Sequence, residues 1–398
     1  MVKSQVVCGL DIGTSSIKSL VVAPKLESAE FEVLSQISQP SFGIRRGVVI
    51  DPEKVSQIIS SVLEKSENET AQPIKEVFIN IGGSHIFTTF SHGTIAVSRA
   101  DQKISKEDIE RVIQAAQTFP LPPNREILEV FPKEFIVDGE KGIREALGME
   151  GVRLESEIMV LGCFSPYLKN LQKAVLEADY SVADIICNPL NSAKAVLSPK
   201  EKELGVLLLD IGAGTTSFCV ILEGSLLHLG VIPIGSGHIT NDIAIGLKTD
   251  IETAERIKVQ FGSCSLAGGK KIKIKEGASG EGFSFSQKNL GKIIDSRVSE
   301  IFDQVQKELK KLSLPKLPAG IVLAGGGAKL LKIKESAKKS FKLPCRIGKI
   351  AGFFPEIKDP QLACACGLVL GAKESFEHES STNGIVQKIK RILKNFIP

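Results

Sequence analysis

"GLDIGTSSIKSLVV" (9–22) and "LLDIGAGTTSFCVI" (208–221) are the two stretches that decide how this chain folds. Each is an apolar run broken by Asp-Ile-Gly: Asp11-Ile12-Gly13 in one, Asp210-Ile211-Gly212 in the other. Each reads as strand, tight turn, strand, because β-type residues flank a cluster of Gly, Ser and Thr. The same unit met twice, half a chain apart, predicts two similar lobes with one hairpin in each. Turns of this composition also have a chemical use. Small residues after the aspartate let backbone N–H groups point at a phosphate chain, and Ser and Thr add hydroxyls without bulk. An aspartate at the entrance can hold Mg²⁺ through its water shell, as hard cations prefer. Either copy alone is equally consistent with a plain hairpin that uses Asp and Gly for its turn geometry. The matched pair favours phosphate.

A third glycine element supports the pair. In "IVLAGGGAKL" (321–330) an apolar strand ends in Gly325-Gly326-Gly327, which lets backbone approach a flat ligand such as adenine. The chain has no G-x-x-x-x-G-K-[ST], so the P-loop route to nucleotides is absent. It has no G-x-G-x-x-G after a strand, which argues against a Rossmann site.

Working outward, 398 residues are long for one core, in keeping with two lobes. Hydrophobic content of 42% with 24% charged residues reads as globular. The formal net charge of +4 is matched by four cations after Gly384, so the body has no basic bias and is not expected to bind nucleic acid. The eight cysteines include no C-x-x-C pair, and Cys364-Ala-Cys366 sits in an apolar run that reads as core. Free thiols of this kind suit a reducing cytoplasm. The N-terminal "MVKSQVVCGLDIG" passes straight into a strand without a signal-peptide pattern. No apolar run approaches the roughly 20 residues of a membrane-spanning helix.

Between the hairpins, "DPEKVSQIISSVLEKSE" (51–67) predicts a helix capped by Asp51 with Pro52 in its first turn. From 84 to 160 short β-rich pieces surround one helix, "SKEDIERVIQAAQTF" (105–119), as in a small inserted α/β subdomain. "SVADIICNPLNSAKAVLS" (181–198) reads as a strand running into a helix. Further helices are expected at about 236–262 and 287–312, and a buried one at "LACACGLVLGA" (362–372). "ESFEHESST" (374–382) reads as a linker or a frayed helix end.

The tail "NGIVQKIKRILKNFIP" (383–398) separates by face when drawn as a helix. Ile385, Val386, Ile389, Ile392, Leu393, Phe396 and Ile397 fall within an arc of about 140°, and Lys388, Lys390, Arg391 and Lys394 lie on the other side. An apolar face opposite a lysine-rich one is the pattern of an interfacial membrane helix. A helix packed on its own body, or a partner-binding helix, fits the same segregation.

Two phosphate hairpins followed by a glycine-rich adenosine turn resemble the actin, sugar-kinase and DnaK superfamily. Within it the chain resembles the bacterial cell-division FtsA family over nearly its whole length. The similar pieces are "GLDIGTSSIKS", "FGIRRGVVID", "NIGGSHI", "ELGVLLLDIGAGTTSF", "IPIGSGHITNDIA", "TAERIK", "AGIVLAGGGAKL" and the basic tail. The resemblance implies an α/β, two-lobed actin-like ATPase fold with an inserted small α/β subdomain and a C-terminal amphipathic helix. The first lobe would comprise 1–83 and 161–197, and the insert 84–160. The second lobe would be 198–373, with a smaller subdomain at about 241–318. A linker at 374–384 and a membrane-targeting helix at 385–398 would follow.

The resemblance also implies roles. Asp11, Gly13, Thr14, Ser15 and Lys18 match the first phosphate loop, and Asp210, Gly212, Gly214, Thr215 and Thr216 the second. Gly235, Gly237 and Asp242 open the next helix near the nucleotide. Glu255 and Lys258 match a helix that meets ribose and adenine, although such a pair also reads as a solvated charged face. Gly325, Gly326 and Gly327 match the adenosine turn. The implied cofactors are ATP and Mg²⁺, the metal held through water by Asp11 and Asp210. There is one departure. Hydrolytic relatives such as MreB carry Glu-Pro where a strand enters the helix beside the γ-phosphate, and this chain reads Asn188-Pro189. Asn cannot act as a general base, though it can orient a water, so binding with at most slow hydrolysis is expected.

The implied partners are the C-terminal tail of FtsZ, docking on the smaller subdomain around 287–312, further copies of the chain in a filament, other division proteins, and an anionic membrane. The implied place is the cytoplasmic face of the cell membrane at the division site. A pilus-assembly adaptor like PilM shares the fold without the basic tail. A small-molecule kinase of the same superfamily would need a catalytic aspartate in a substrate cleft, for which no clear candidate is seen.

Overall fold

The computed structural model describes residues 6–25, 30–265, 270–275, 282–312 and 316–376. The tail residues from Ile385 to Ile397, and the expected linker beyond 376, lie outside them.

Two sheets of like topology form the body. In the first, Val7–Ile12 pairs antiparallel with Ser16–Pro24, which pairs antiparallel with Phe31–Pro40. On its other side Val7–Ile12 runs parallel to Glu76–Ile81, which runs parallel to Ser181–Cys187. The second sheet repeats this order with Val206–Ile211, Thr216–Leu222 and Ser225–Ile232 antiparallel, then Gly320–Ala324 and Cys345–Ile347 parallel. A short strand, Phe353–Phe354, extends the edge of the first sheet beside Phe31. The sequence repeat is therefore a repeat of fold: three meandering strands, then two reached by crossovers.

The central strands of both sheets are buried on both faces, which explains their near-continuous apolar runs, whereas Phe31–Pro40 alternates between buried and exposed residues. In the second sheet alternate residues of a strand serve different cores, as the pleat dictates. Val206 and Leu208 join the core shared with the first lobe, whereas Leu207, Leu209 and Ile211 face the core of the second. Helices Asn188–Val196 and Ala363–Phe376 pack together between the sheets. Gly367 is the point of closest approach, because a Cβ there would collide with the Asn191 carbonyl. The second of these helices continues to Phe376, so the polar string at 374–382 begins in helical conformation.

The insert has its own core. Its sheet runs in the order Phe87–Ala96, Arg153–Phe164, Arg125–Val137, Glu140–Ile143, all antiparallel. Helix Lys106–Gln117 covers one face with Ile109, Val112, Ile113 and Ala116, and a capping box between Ser105 and Asp108 starts it. Strand Arg153–Phe164 leads back to the body. Its Leu154, Ile158 and Val160 belong to the insert core, and Leu161 and Cys163 to the first lobe.

One expected helix is two. Residues 236–262 form Ser236–Leu247 and Ile251–Phe261, separated where Lys248 turns left-handed (φ 57°) and Asp250 caps the second helix through Thr253 N–H. Helix Gln287–Lys310 packs beside the first of them.

Candidate functional site: a cleft between two hairpins

A cavity of about 440 Å³ opens between the lobes, within the range of small-ligand sites. The turns of both hairpins reach it. In each turn the glycine N–H donates to the carbonyl three residues on, Gly13 to Ser16 at 3.1 Å and Gly212 to Thr215 at 2.9 Å. The turns touch at their tips: a Cβ on Gly214 would stand 2.7 Å from Thr14 Oγ1. Thr14 Oγ1 in turn accepts from Gly47 N–H at 3.0 Å.

The two aspartates have different surroundings. Asp11 faces Lys18 across its hairpin, and Lys18 Nζ donates to Asp11 Oδ2 at 2.8 Å. Both residues are buried. Burial by itself would lower the Lys18 pKa, but the Asp11 charge and hydrogen bond outweigh it and the pKa is raised. Asp11 Oδ1 accepts from Asn80 Nδ2 at 2.8 Å, and Asn80 Oδ1 accepts from Ile12 N–H at 2.6 Å. Asp210 stands opposite Ser217, which brings no charge. Its Oδ2 accepts a short hydrogen bond from Ser192 Oγ. Burial pushes the Asp210 carboxyl up to about 6; the Ser192 bond opposes this and the Asp11 charge adds to it.

Gly325, Gly326 and Gly327 line the same cavity from the end of strand Gly320–Ala324. Gly325 has φ 80°, and a Cβ on it would collide with Asp210 Oδ1. Only glycine serves there. Across from them Lys258 Nζ pairs with Glu255 at 2.7 Å and donates to Thr240 Oγ1 at 2.8 Å. Thr240 Oγ1 donates to Glu255 at 2.5 Å. These polar groups sit on two helices held side by side, and Glu255 and Lys258 both line the cavity.

Asp11, Gly13, Thr14, Ser15, Lys18, Asp210, Gly212, Thr215, Gly237, Glu255, Lys258 and the three glycines all line one cleft, and so does Asn188. Four expected residues do not. Gly214 packs against Thr14 and Arg46, and Gly235 against the Gly212, Ala213 and Thr215 carbonyls. Thr216 is fully buried and donates to Ile234 O at 2.8 Å. Asp242 was expected near the nucleotide but is bound by Arg297, with contacts of 2.6 and 2.9 Å. It lies five residues beyond Gly237, about 140° round the helix, and so points away from the cleft.

Sequence reasoning missed Asn80 and Ser192, the side chains that hold the two aspartates. Ser192 lies one helical turn after Asn188, in the quoted "CNPLNS". Asn80 opens the quoted "NIGGSHI". Asn80 carried a signal as the polar residue in the apolar run of its strand; Ser192, in a helix that also holds Asn191 and Lys194, carried none.

The family model described as cell division protein FtsA matches residues 207–367, and that of the SHS2 domain inserted in FtsA matches residues 83–161. The cell division protein FtsA of Pseudomonas aeruginosa is 36% identical over 374 residues, covering 92% of this chain and 89% of the relative. That of Bacillus subtilis is 33% identical over 372 residues, covering 93% and 84%. This chain belongs to the FtsA cell-division family. Solved structures show that this FtsA-family chain has the actin-like fold. The PilM–PilN type IV pilus biogenesis complex matches with a TM-score of 0.65 at 17% identity, covering 92% of this chain and 98% of that one. MreB5 of Spiroplasma citri bound to ADP matches with a TM-score of 0.57 at 16% identity, covering 94% and 99%. The sequence relatives are FtsA proteins, which disfavours the pilus-adaptor alternative.

Proposed function

We propose that the cleft of this FtsA-family chain binds Mg²⁺ and ATP, and that the loaded protein assembles into filaments and ties the FtsZ ring to the cytoplasmic membrane. The observation that carries the nucleotide reading is the pair of matched turns, each with its aspartate, brought tip to tip around one cavity.

The residues fit the group. Two glycine turns and a glycine triad leave backbone where side chains would otherwise fill the cleft, and Gly325 excludes any larger residue beside Asp210. Lys18 supplies a cation and Thr14, Ser15 and Thr215 hydroxyls at the phosphate end. Glu255 and Lys258, held in place by the buried Thr240, supply an acceptor and a donor for a sugar. Among the described residues no three His, Cys, Asp or Glu side chains gather to hold a metal. Mg²⁺ keeps much of its water and binds through substrate phosphates with one or two carboxylates; Asp11 and Asp210, which line the cleft, would supply them. The metal would neutralise phosphate charge. Strand Ser181–Cys187 delivers Asn188 to the cleft at the first position of a helix, where a side chain without a base favours retention of the nucleotide over turnover.

The tether is read from residues 385–398, whose apolar face supplies burial and whose cations supply attraction to anionic lipid. Filament contacts multiply tails and so add avidity. Docking of the FtsZ tail around helix Gln287–Lys310 rests on the family. Isothermal calorimetry with MgATP tests the cleft: no binding by the full chain sinks the nucleotide reading. Co-sedimentation with anionic liposomes tests the tail. Ile389→Glu with Phe396→Glu should abolish it at any salt concentration. Replacement of Lys388, Lys390, Arg391 and Lys394 by Gln should leave weak binding that ignores salt. Retention by a chain ending at Gly384 equal to that of the full chain would overturn the tether.

A further inference from the structure

Asn80 is 2% exposed, sits at the end of strand Glu76–Ile81, and uses its whole amide. Its Oδ1 accepts from Ile12 N–H at 2.6 Å. Its Nδ2 donates to Asp11 Oδ1 at 2.8 Å and to Asn188 Oδ1 at 3.1 Å. Only one orientation of the amide satisfies these neighbours. The backbone N–H of Ile12 requires an acceptor and the Asp11 carboxylate requires a donor, so the carbonyl must face the one and the NH₂ the other. The second proton of that NH₂ then meets Asn188 and demands an acceptor there. Asn188 is thereby fixed as well, with its carbonyl turned to Asn80.

The consequence falls on the cleft. Asn188 Nδ2 meets no acceptor among the described residues, and Asn188 lines the cavity. Gly82 makes room for it, since a Cβ on that residue would stand 2.9 Å from Asn188 Nδ2. The group offered to the cavity is therefore a pair of N–H donors. A donor suits an anionic phosphate oxygen and cannot accept a proton from water. We propose that Asn80 is a positioning residue that locks Asn188 as a hydrogen-bond donor toward the terminal phosphate, so that the site distinguishes ATP from ADP by holding the former.

This inference rests on the nucleotide reading above, and the experiment separates the two. Dissociation constants for MgATP and MgADP are measured on the full chain and its variants by calorimetry. If the unaltered chain binds neither nucleotide, the nucleotide reading fails. With binding present, Asn188→Ala and Asn80→Ala should each reduce the preference for ATP over ADP by about tenfold, the scale of a hydrogen bond to a charged group. The double variant should lose no more than either single one, because the two act through one contact. Asn80→Ala should lower the melting temperature as any buried substitution would; the ATP-to-ADP ratio is the readout that a merely structural role would leave alone. Asn188→Asp does not disturb the strand interior. It keeps an oxygen for Asn80 but turns a carboxylate to the cavity, and should reduce ATP affinity below that of Asn188→Ala while leaving ADP much less affected. An unchanged ratio in Asn80→Ala, additive losses in the double variant, or full ATP affinity in Asn188→Asp would each overturn the proposal.

Discussion

The two hairpins share a fold and differ in electrostatics. Their turns are equal in length and closed by the same hydrogen bond, with Gly13, Thr14, Ser15 and Ser16 in one and Gly212, Ala213, Gly214 and Thr215 in the other. At the position facing the aspartate, however, the first hairpin carries Lys18 and the second Ser217. Asp11 is thus paired and braced within the protein, while Asp210 has a hydroxyl for company and a carboxyl pushed up to about 6. A repeated fold sets two carboxylates at equivalent places, and one residue per hairpin decides which of them is already neutralised. Asp210 is left as the stronger claimant for a cation from outside.

The largest expected effect comes from removing the cation that makes the difference. Lys18→Met strips the partner from a buried charge and should destabilise the folded chain by about 3–5 kcal/mol. Ser217→Ala, at the equivalent register, should cost about 1 kcal/mol or less. Chemical denaturation of both variants checks the contrast. Equal losses would mean that the Asp11–Lys18 pair does no more for the first hairpin than a serine does for the second.

Next in size is Asp210→Asn. It keeps the shape and an acceptor for Ser192 but removes the charge, so Mg²⁺-dependent nucleotide affinity should fall about a hundredfold, roughly 2.7 kcal/mol. At pH 7.5 the same change should raise the melting temperature of the nucleotide-free protein, because a carboxylate that burial disfavours is gone. Lys18→Met and Asp210→Asn should therefore move stability in opposite directions. Thermal scans without nucleotide, and calorimetry with and without Mg²⁺, measure the two halves.

The pH dependence is smaller and has a definite sign. The folded Asp210 carboxyl is raised from 3.8 to about 6. Its contribution to stability is present in full below about pH 4 and is lost as the pH rises through 6, since the folded state holds its proton longer than the unfolded one. Mg²⁺ requires the ionised form, so the Mg²⁺-dependent part of nucleotide affinity should fall up to tenfold per unit below about pH 6 and level off above 7. Asp210→Asn should flatten that profile. A profile unchanged by the substitution would assign the titration elsewhere.

How much of this could be read in the sequence follows from what each signal depends on. The two hairpins and the glycine triad were legible because turns of Gly, Ser and Thr between apolar runs are local features. The insert was legible through its change of texture. Asp242 misled because nearness in sequence to Gly237 says nothing about the helix face, and Arg297, its partner, lies 55 residues away in the chain. The break at Lys248 was hidden because apolar spacing carries on across it. Asn80 and Ser192 went unread for a related reason: each acts by contacting an aspartate on another element, and a contact of that kind is fixed only when the strands and helices are assembled.

The smallest effect probes where the hairpins meet. At the third position of the turn the first hairpin has Ser15 and the second Gly214. Nothing in the backbone of Gly214 calls for glycine, since it is not among the residues with positive φ. Its lack of a side chain is explained by the other turn: a Cβ there would lie 2.7 Å from Thr14 Oγ1, 2.8 Å from Thr14 Cγ2 and 3.1 Å from Arg46 Cα. Gly214→Ala should therefore cost about 1 kcal/mol by overpacking, while Ser15→Ala should change stability little. Thr14→Ala removes both of the nearer atoms, so in that background Gly214→Ala should be close to neutral, once the loss of the Gly47 N–H bond to Thr14 is counted in the single variant. The coupling between positions 14 and 214, measured as a double-mutant cycle, reports directly on the contact between the lobes. Additive effects would show that the tips do not touch in solution, and that the cleft is wider there than the packing of these turns implies.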